Sequence, residues 1–210
     1  MELLCTGPAS GPLLVLAHGA GAPMDSEFME HVASGLGARG VRVVRFEFPY
    51  MQRRRAEGRR FPPDRQPVLL DAFRAVLEEA GAPENDTVFV GGKSMGGRMA
   101  SLLAVETPVA GVVCFGYPAY PRGRPDRTRL GHLPRLRAPM LICQGERDPM
   151  GNREELEDQD LGGRVRLCWF GDGDHDLRPR KRSGHRYEDH LRVAVDRVAD
   201  FIHQVRGAAF

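Results

Sequence analysis

The stretch TVFVGGKSMGGRMASLLAV, residues 87–105, joins an apolar strand-like run, a GxSxG pattern and a helix-like run in immediate succession. A serine between Gly92 and Gly96 fits a sharp strand-to-helix turn, because these two positions leave no room for a Cβ against the neighbouring strand and helix. The turn would expose the Ser94 hydroxyl and place the Met95 N–H at the start of a helix, where it can stabilise an oxyanion. The pattern therefore predicts Ser94 as a nucleophile and Met95 as an oxyanion-hole donor.

Apolar runs alternate with amphipathic segments on both sides of this stretch, which is typical of repeated βα units around a parallel sheet. The predicted strands are 12–17, 41–46, 87–91, 110–115, 139–144 and 164–170. The predicted helices are 25–39, 64–80, 96–106 and 185–205. This order predicts one α/β domain over residues 1–210, with a doubly wound, mostly parallel sheet and helices on both faces.

Two segments, 47–63 and 116–137, are rich in proline, glycine and arginine and are predicted as loops. Each follows the carboxyl end of a predicted strand, where open α/β sheets bind their ligands. Arginine forks suit carboxylates and phosphates, so one hypothesis is that these loops recognise an anion; the alternative is that they carry solvated charges. The arginines concerned are Arg53, Arg54, Arg55, Arg59, Arg60, Arg122 and Arg124. No long insertion follows the strand 110–115, which predicts a shallow cleft without a large cap.

A serine hydroxyl becomes a nucleophile when a histidine takes its proton and a carboxylate holds that histidine in the right tautomer. Among seven histidines, His175 lies in the loop between the last predicted strand and the last predicted helix. Asp148 follows the strand 139–144 and is the better acid candidate, with Glu146 as the nearby competitor. The acidic run GDGDHD lacks the spacing of a calcium loop, so neither a metal nor a cofactor is expected.

The run His18-Gly19-Ala20-Gly21 ends the first predicted strand, where this architecture needs a second N–H donor facing the nucleophile. Ala20 is the first choice for that donor and Gly21 the second; a plain glycine turn is the alternative. The residues expected to contact substrate are Gly21, Met24, Tyr117 and Arg54.

Composition narrows the function further, with 41% apolar and 28% charged residues and a formal net charge of +2. So small a charge does not predict a nucleic-acid partner, and the apolar run 13–17 is too short to span a membrane. The four cysteines form no CxxC pair, and three of them lie in predicted strands, which favours core thiols in a reducing cytoplasm. Composition leaves the oligomeric state open.

The order Ser…Asp…His along the chain is similar to that of the α/β-hydrolases. More narrowly, LAHGAGAPMDSEFM, FPYM, GGKSMGGRMAS and GERDP resemble a hydrolase-like group related to dienelactone hydrolases. That group also includes a testis-expressed protein and a chromatin acetyltransferase complex subunit. The resemblance implies an eight-stranded sheet trimmed to a minimal core. Dienelactone hydrolases use cysteine where this chain has Ser94, so their lactone activity is not carried over.

Two functions of different classes follow from these patterns. One is a serine hydrolase that cleaves a carboxyl ester or thioester of a small soluble molecule, the substrate class that the resemblance implies. The other is a non-catalytic binding or scaffold protein that keeps the fold, because a fold alone never establishes a function. Loss of the serine, the acid or the base would favour the second, and all three residues are present.

Overall fold

The computed structural model describes residues 2–81 and 87–208, and its framework is a seven-stranded sheet in the order β1-β3-β2-β4-β5-β6-β7. The strands are β1 (Leu3–Thr6), β2 (Leu13–Ala17), β3 (Arg42–Phe46), β4 (Phe89–Lys93), β5 (Gly111–Phe115), β6 (Met140–Gly145) and β7 (Val165–Phe170). β1 runs antiparallel to β3, and every other neighbouring pair is parallel. The predicted α/β class with a mostly parallel sheet is confirmed.

Helices cover both faces of the sheet. They are α1 (Glu27–Gly37), α2 (Pro49–Glu57), α3 (Gln66–Glu79), α4 (Met95–Glu106), α5 (Arg153–Glu157) and α6 (Tyr187–Gly207). Successive side chains of a strand point to opposite faces. In β2, Leu14 and Leu16 accordingly join the core that contains α1 and α6, whereas Val15 joins the core that contains α3 and α4. All five β2 residues are buried, as expected for a parallel strand covered on both sides.

Three elements were missed by the sequence patterns: β1, α2 and the five-residue helix α5. The edge strand β1 is only four residues long and carries an exposed Cys5, so it has no apolar run to reveal it. The predicted loop 47–63 contains the helix α2: Pro49 occupies its first turn, and Gly58, with φ of 66°, ends it. Its charged surface hides the helical period, while Tyr50 and Met51 anchor it to the core.

The sheet has seven strands within the described residues, whereas the resemblance implied eight. The segment after β5 forms no large cap; it packs against the body of the protein through buried Tyr117, Tyr120, Leu130 and Leu133. In the described part of the chain, no helix is long and apolar enough to cross a membrane.

The sheet reverses its strand order between β2 and β4. From β2 the chain moves outward to β3, and then it returns to β4 on the other side and continues through β5, β6 and β7. Such a switch point opens a crevice at the carboxyl ends of the strands. The turn after β2 contains His18 to Gly21 and the turn after β4 contains Ser94, so the two predicted parts of the site meet there.

Candidate active site

Ser94 occupies the turn between β4 and α4, with φ of 52° and ψ of −114°. A positive φ is unfavourable for a residue with a side chain, and it persists here because the surrounding packing imposes it. The Ser94 N–H donates to the Phe115 carbonyl at 2.9 Å. A Cβ on Gly92 or on Gly96 would lie 2.5 Å from the Ala17 carbonyl oxygen, which confirms the predicted need for glycine at both positions.

Three side chains from separate loops meet beside this turn. The His175 Nε2 lies 2.8 Å from the Ser94 Oγ, and the His175 Nδ1 lies 2.7 Å from an Asp148 carboxylate oxygen. A carboxylate can only accept, so Nδ1 carries the proton and Nε2 is free to accept from the serine hydroxyl. Asp148 is fully buried, whereas the side chain of His175 is 22% exposed. Asp148 therefore orients His175 from the protein interior, while the imidazole remains accessible from the solvent.

Gln144, which no sequence pattern identified, holds the carboxylate of Asp148. Its Nε2 donates to Asp148 Oδ2 at 2.9 Å and also to the carbonyls of Tyr117 and Gly151. Its Oε1 accepts from the Tyr117 N–H at 2.7 Å, which fixes the orientation of the amide. The Met150 N–H donates to the other oxygen of Asp148 at 2.8 Å. The only signal in the sequence was a glutamine at the end of an apolar strand, four residues before the acid.

The competing acid, Glu146, is committed elsewhere. Its carboxylate forms an ion pair with Arg153 at 2.8 Å and accepts from the Asp172 N–H at 3.1 Å. The acidic run around His175 is likewise used within its own loop. Arg180 binds Asp172 and holds the pKa of that carboxyl at about 2. Within residues 2–81 and 87–208, no three potential metal ligands cluster together.

Lys93, immediately before the nucleophile, ties β4 to the loop that carries the base. Its Nζ donates to the His175 carbonyl at 2.8 Å and pairs with Asp176 at 3.0 Å. The Lys93 side chain is only 10% exposed, whereas that of Asp176 is 62% exposed, so the lysine is shielded from water and the carboxylate is not. Gly116 lets the loop approach: a Cβ there would lie 2.4 Å from the same His175 carbonyl. Lys93 was also missed, and its only signal was a lysine between the predicted strand 87–91 and the nucleophile.

The loop after β2 approaches Ser94 closely, since a Cβ on Gly19 would lie 3.8 Å from the Ser94 Cβ. The Gly19 carbonyl accepts from the His18 Nδ1 at 2.7 Å and from the Tyr50 hydroxyl at 3.3 Å. In a trans peptide the C=O and N–H point in opposite directions, so the Ala20 N–H points away from those donors. Met95 is the first residue of α4, where N–H groups have no partner inside the helix.

His18 supports this loop from the core and does not titrate with the site. Its ring is fully buried, its Nδ1 donates to Gly19, and its Nε2 accepts from the Phe48 N–H at 3.1 Å. Burial lowers the pKa of His18. The neutral Nδ1–H tautomer satisfies both hydrogen bonds.

The residues expected to contact substrate separate into two groups. Gly21 is exposed beside Ala20, with open space around it. Met24 is buried and lines a separate pocket with Glu47 and Arg55, so the expected contact is corrected. Tyr117 is also fully buried, with its hydroxyl donating to the Arg129 carbonyl. Both residues lie in loops, and the packing of those loops against the core turns their side chains into the interior.

The guanidinium of Arg54 also departs from the expected role. Its Nε and one terminal nitrogen donate to the Phe61 carbonyl, and the other terminal nitrogen donates to the Ala20 carbonyl at 3.4 Å. It lies over the Tyr50 ring, 4.9 Å from the centroid. Arg54 therefore supports the loop of Ala20 from behind and is not free to bind substrate.

Most of the other loop arginines are neutralised by carboxylates. The pairs are Arg53–Asp64, Arg55–Glu47, Arg59–Glu57 and Arg124–Asp126. A guanidinium already paired with a carboxylate is a poor receptor for a second anion. The structure thus argues against the anion-binding rim that the composition of these loops suggested.

A cavity of about 920 Å³ opens at the opposite edge of the sheet, among the amino ends of β2, β4 and β6. Leu13, Phe89 and Pro139 line it, and none of Ser94, Asp148 and His175 does. Cavity size therefore does not locate the chemistry in this protein. The strained serine and its partners lie at the carboxyl edge, where parallel sheets hold their ligands.

Comparison with known proteins agrees with this fold. Residues 10–203 match the family model described as alpha/beta hydrolase domain. A serine hydrolase homologue from Coxiella burnetii is 16% identical, with a TM-score of 0.69, over 93% of this chain and 90% of that one. A dienelactone hydrolase from Anabaena variabilis is 21% identical, with a TM-score of 0.71, over 97% and 92%. Est1E from Butyrivibrio proteoclasticus, in a structure with bound ferulic acid, is 16% identical, with a TM-score of 0.71, over 98% and 95%.

Proposed function

The chain belongs to the alpha/beta hydrolase domain family, and on that premise we propose that it is a serine hydrolase that cleaves a carboxyl ester or thioester through an acyl-enzyme. The observation that carries the proposal is the unbroken hydrogen-bond chain from the Ser94 hydroxyl through His175 to the buried Asp148. Structural relatives below 25% identity support the fold and not the substrate, so the proposed chemistry rests on these three side chains alone.

The first half of the reaction forms the acyl-enzyme. The Ser94 Oγ attacks the carbonyl carbon while its proton passes to the His175 Nε2. The carbonyl electrons move onto oxygen, and the N–H groups of Met95 and Ala20 stabilise that oxyanion. When the intermediate collapses, the bond to the leaving alcohol or thiol breaks and the leaving group takes the proton from Nε2. Asp148 stays ionised and stabilises the transient imidazolium.

The second half releases the product and restores the serine. A water molecule gives one proton to the His175 Nε2 and attacks the acyl carbon. Collapse of the second intermediate breaks the bond to the Ser94 Oγ, which takes the proton back. The free acid leaves, and the histidine is again neutral.

A small, soluble substrate fits the surroundings of Ser94. The serine is partly exposed, Gly21 is open to solvent, and the segment after β5 is packed down rather than raised as a cap. A site without a cap buries little of a long acyl chain, and apolar burial is the main source of affinity for lipids. We therefore place small acyl groups ahead of long ones.

The alternative is a non-catalytic binding or scaffold protein, in line with the narrower likeness to the group that includes an acetyltransferase complex subunit. The two functions differ in one measurable property, the reactivity of the Ser94 hydroxyl. Chemical labelling of that hydroxyl separates them before any substrate is known.

The decisive test is labelling of the purified protein with a fluorophosphonate probe, followed by mass spectrometry of the adduct. We expect one adduct, on Ser94, that disappears in Ser94→Ala and persists in Ser34→Ala, a change at an exposed position in the middle of α1. Turnover of activated esters by Ser94→Ala should fall by about 10⁴- to 10⁶-fold, since triad members act as a unit. A folded wild type that forms no adduct between pH 6 and 9 would refute the proposal.

A further inference from the structure

Arg98 lies on α4 one turn after the nucleophile, and its guanidinium has no anionic partner among residues 2–81 and 87–208. Its Nη2 donates to the amide oxygen of Gln66 at 3.2 Å. Its Nε is buried and, in the part of the chain that the structure describes, has no hydrogen-bond partner. Helical side chains lean toward the amino end of their helix, and Gln66 begins α3, so the Arg98 side chain reaches from the first turn of α4 to the amino end of α3. Burial lowers the pKa of Arg98, and the charge of Arg129 lowers it further.

Arg129, from the segment after β5, is the second positive charge at this place. It is half-buried, and burial lowers its pKa as well. Between the described residues, no carboxylate lies within 4.0 Å of Arg98 or of Arg129, in contrast to the paired arginines of the surrounding loops. Two guanidinium groups that repel each other and have lost water without gaining an anion are unfavourable in the free protein.

The neighbouring polar groups do not compensate these charges. Burial raises the pKa of Tyr117, so its phenol stays neutral and supplies no negative charge. Burial, together with Arg98 and Arg135, lowers the pKa of His132 to about 4. That imidazole is therefore neutral near pH 7, and it hydrogen-bonds to Ser101 at 2.8 Å. The positive charges of Arg98 and Arg129 therefore remain uncompensated by these neutral groups.

This cluster adjoins the nucleophile turn through the backbone. The Arg98 N–H donates to the Ser94 carbonyl at 3.0 Å, and the Ser94 N–H donates to the carbonyl of Phe115. Tyr117, which interacts electrostatically with both arginines, follows Phe115 by two residues. The amino end of α4 adds its partial positive charge at the same side.

We propose that Arg98 and Arg129 form an anion-binding subsite beside Ser94, and that the substrate carries a carboxylate or a phosphate in addition to its scissile ester. This proposal rests on the proposed serine hydrolase function and specifies its substrate class. Planar guanidinium forks match the oxygens of either anion, and a half-buried site strengthens the pairing relative to water. Anion recognition thus lies with Arg98 and Arg129, not with the arginines of the outer loops.

The first experiment compares two esters that differ in charge and by one methyl group: mono-4-nitrophenyl glutarate and its neutral methyl ester. For Arg98→Gln and Arg129→Gln we expect kcat/KM to fall by about 10- to 100-fold on the anionic ester, mainly through KM, because hydrogen bonds to charged groups are lost. Activity on the methyl ester should change by less than about threefold, because that ester has no anion for the two guanidinium groups to bind. Arg98→Lys should recover part of the loss, and Arg127→Gln, at an exposed position, should cause none.

Equal losses on the two esters would mean that the arginines act only through the fold, and unchanged kinetics would mean that no anion binds there. Either result overturns the subsite while leaving the serine hydrolase intact. An anion site in a protein that is not a hydrolase can also be recognised, because anion binding can be measured without catalysis.

The second experiment therefore follows thermal unfolding of Ser94→Ala at constant ionic strength with sodium glutarate or inorganic phosphate added. A ligand that binds only the folded state raises Tm. We expect the Tm of Ser94→Ala to rise with at least one of the two anions. In the double variant that also carries Arg98→Gln, Tm should rise no more than it does with chloride. The anion that raises Tm more would indicate whether the substrate carries a carboxylate or a phosphate. A rise that survives Arg98→Gln, or no rise with either anion, would overturn the subsite. A rise in a protein whose Ser94 resists the fluorophosphonate would instead remove the hydrolase function and leave an anion-binding protein.

Discussion

Replacing Asp148 by asparagine tests the acid of the proposed triad with a change of one atom. In the wild type, every group around this carboxylate donates: the His175 Nδ1, the Gln144 Nε2 and the Met150 N–H. An asparagine has a single oxygen. If this oxygen faces His175 and Gln144, it accepts from both of them, and the asparagine NH2 faces the Met150 N–H. If the amide is turned the other way, its NH2 faces the two donors of His175 and Gln144. The first orientation is favoured, so the variant should keep the histidine tautomer and lose the charge.

The size of the effect follows from the distance between the charges. At the 2.7 Å between the His175 Nδ1 and Asp148, an imidazolium–carboxylate pair gains about 6 kcal/mol with an effective dielectric constant of about 20. The remaining neutral hydrogen bond retains about 1 kcal/mol. Since about 1.36 kcal/mol is a factor of ten, kcat should fall by about 10³- to 10⁴-fold.

The fold should be weakened much less than the activity. The buried Met150 N–H loses its acceptor at a cost of about 1–3 kcal/mol, which lowers Tm by roughly 2–12 °C in a chain of this size. Circular dichroism melting therefore has to accompany the kinetics, so that the activity is measured well below the Tm of the variant.

The assay is turnover of 4-nitrophenyl acetate, with the rate of fluorophosphonate labelling as a second readout. Glu146→Gln is the matched control, because Glu146 was the competing acid and pairs with Arg153 instead of His175. We expect this control to stay within about threefold of the wild type, the range of a change away from the reacting groups. Folded Asp148→Asn with more than a tenth of the wild-type kcat, or an equal loss in Glu146→Gln, would refute the assignment.

Two further substitutions test how the turn and the base are positioned. Lys93→Met removes the Nζ that holds the loop of His175, so kcat in the ester assay should fall about 10- to 100-fold with little change in KM. The control Lys181→Met should leave kcat unchanged in the same assay. Equal behaviour of the two lysine variants would contradict the role of Lys93. Gly92→Ala places a Cβ 2.5 Å from the Ala17 carbonyl oxygen, so it should lower the free energy of unfolding by at least about 3 kcal/mol in thermal melting. Gly58→Ala meets open space and should lower it only by the roughly 1–2 kcal/mol of its left-handed backbone. A loss for Gly92→Ala as small as that for Gly58→Ala would show that the turn can relax.

The class of the fold and most of its strands were predictable from the sequence. A strand that is buried on both faces is a continuous apolar run, and such a run can be recognised without knowing the tertiary structure. The helices α1, α3 and α6 were predictable for a similar reason, since each keeps an apolar stripe. Elements whose residues do not report burial were missed: β1 is short and at an edge, and α2 carries three consecutive arginines, Arg53 to Arg55, on a mostly exposed surface.

The candidate site was predictable only as far as strand ends could be located. Ser94, Asp148 and His175 each follow a predicted strand, and the carboxyl ends of parallel strands share one edge of the sheet. That argument selects positions along the chain and is blind to side-chain direction. Met24 and Tyr117 satisfied it equally well and are buried.

The sequence by itself determined the order of the elements, the glycines that the serine turn requires, and the short set of residues at the carboxyl edge, because each of these depends on neighbours along the chain. The tertiary structure alone decided which charges are paired. The carboxylates that neutralise Arg53 and Arg55, and their absence around Arg98 and Arg129 in the described residues, depend on groups brought together from different elements. The same holds for Lys93, which bonds to the loop of His175, and for Gln144, which bonds to Tyr117, since a hydrogen bond between distant segments leaves no period in the sequence.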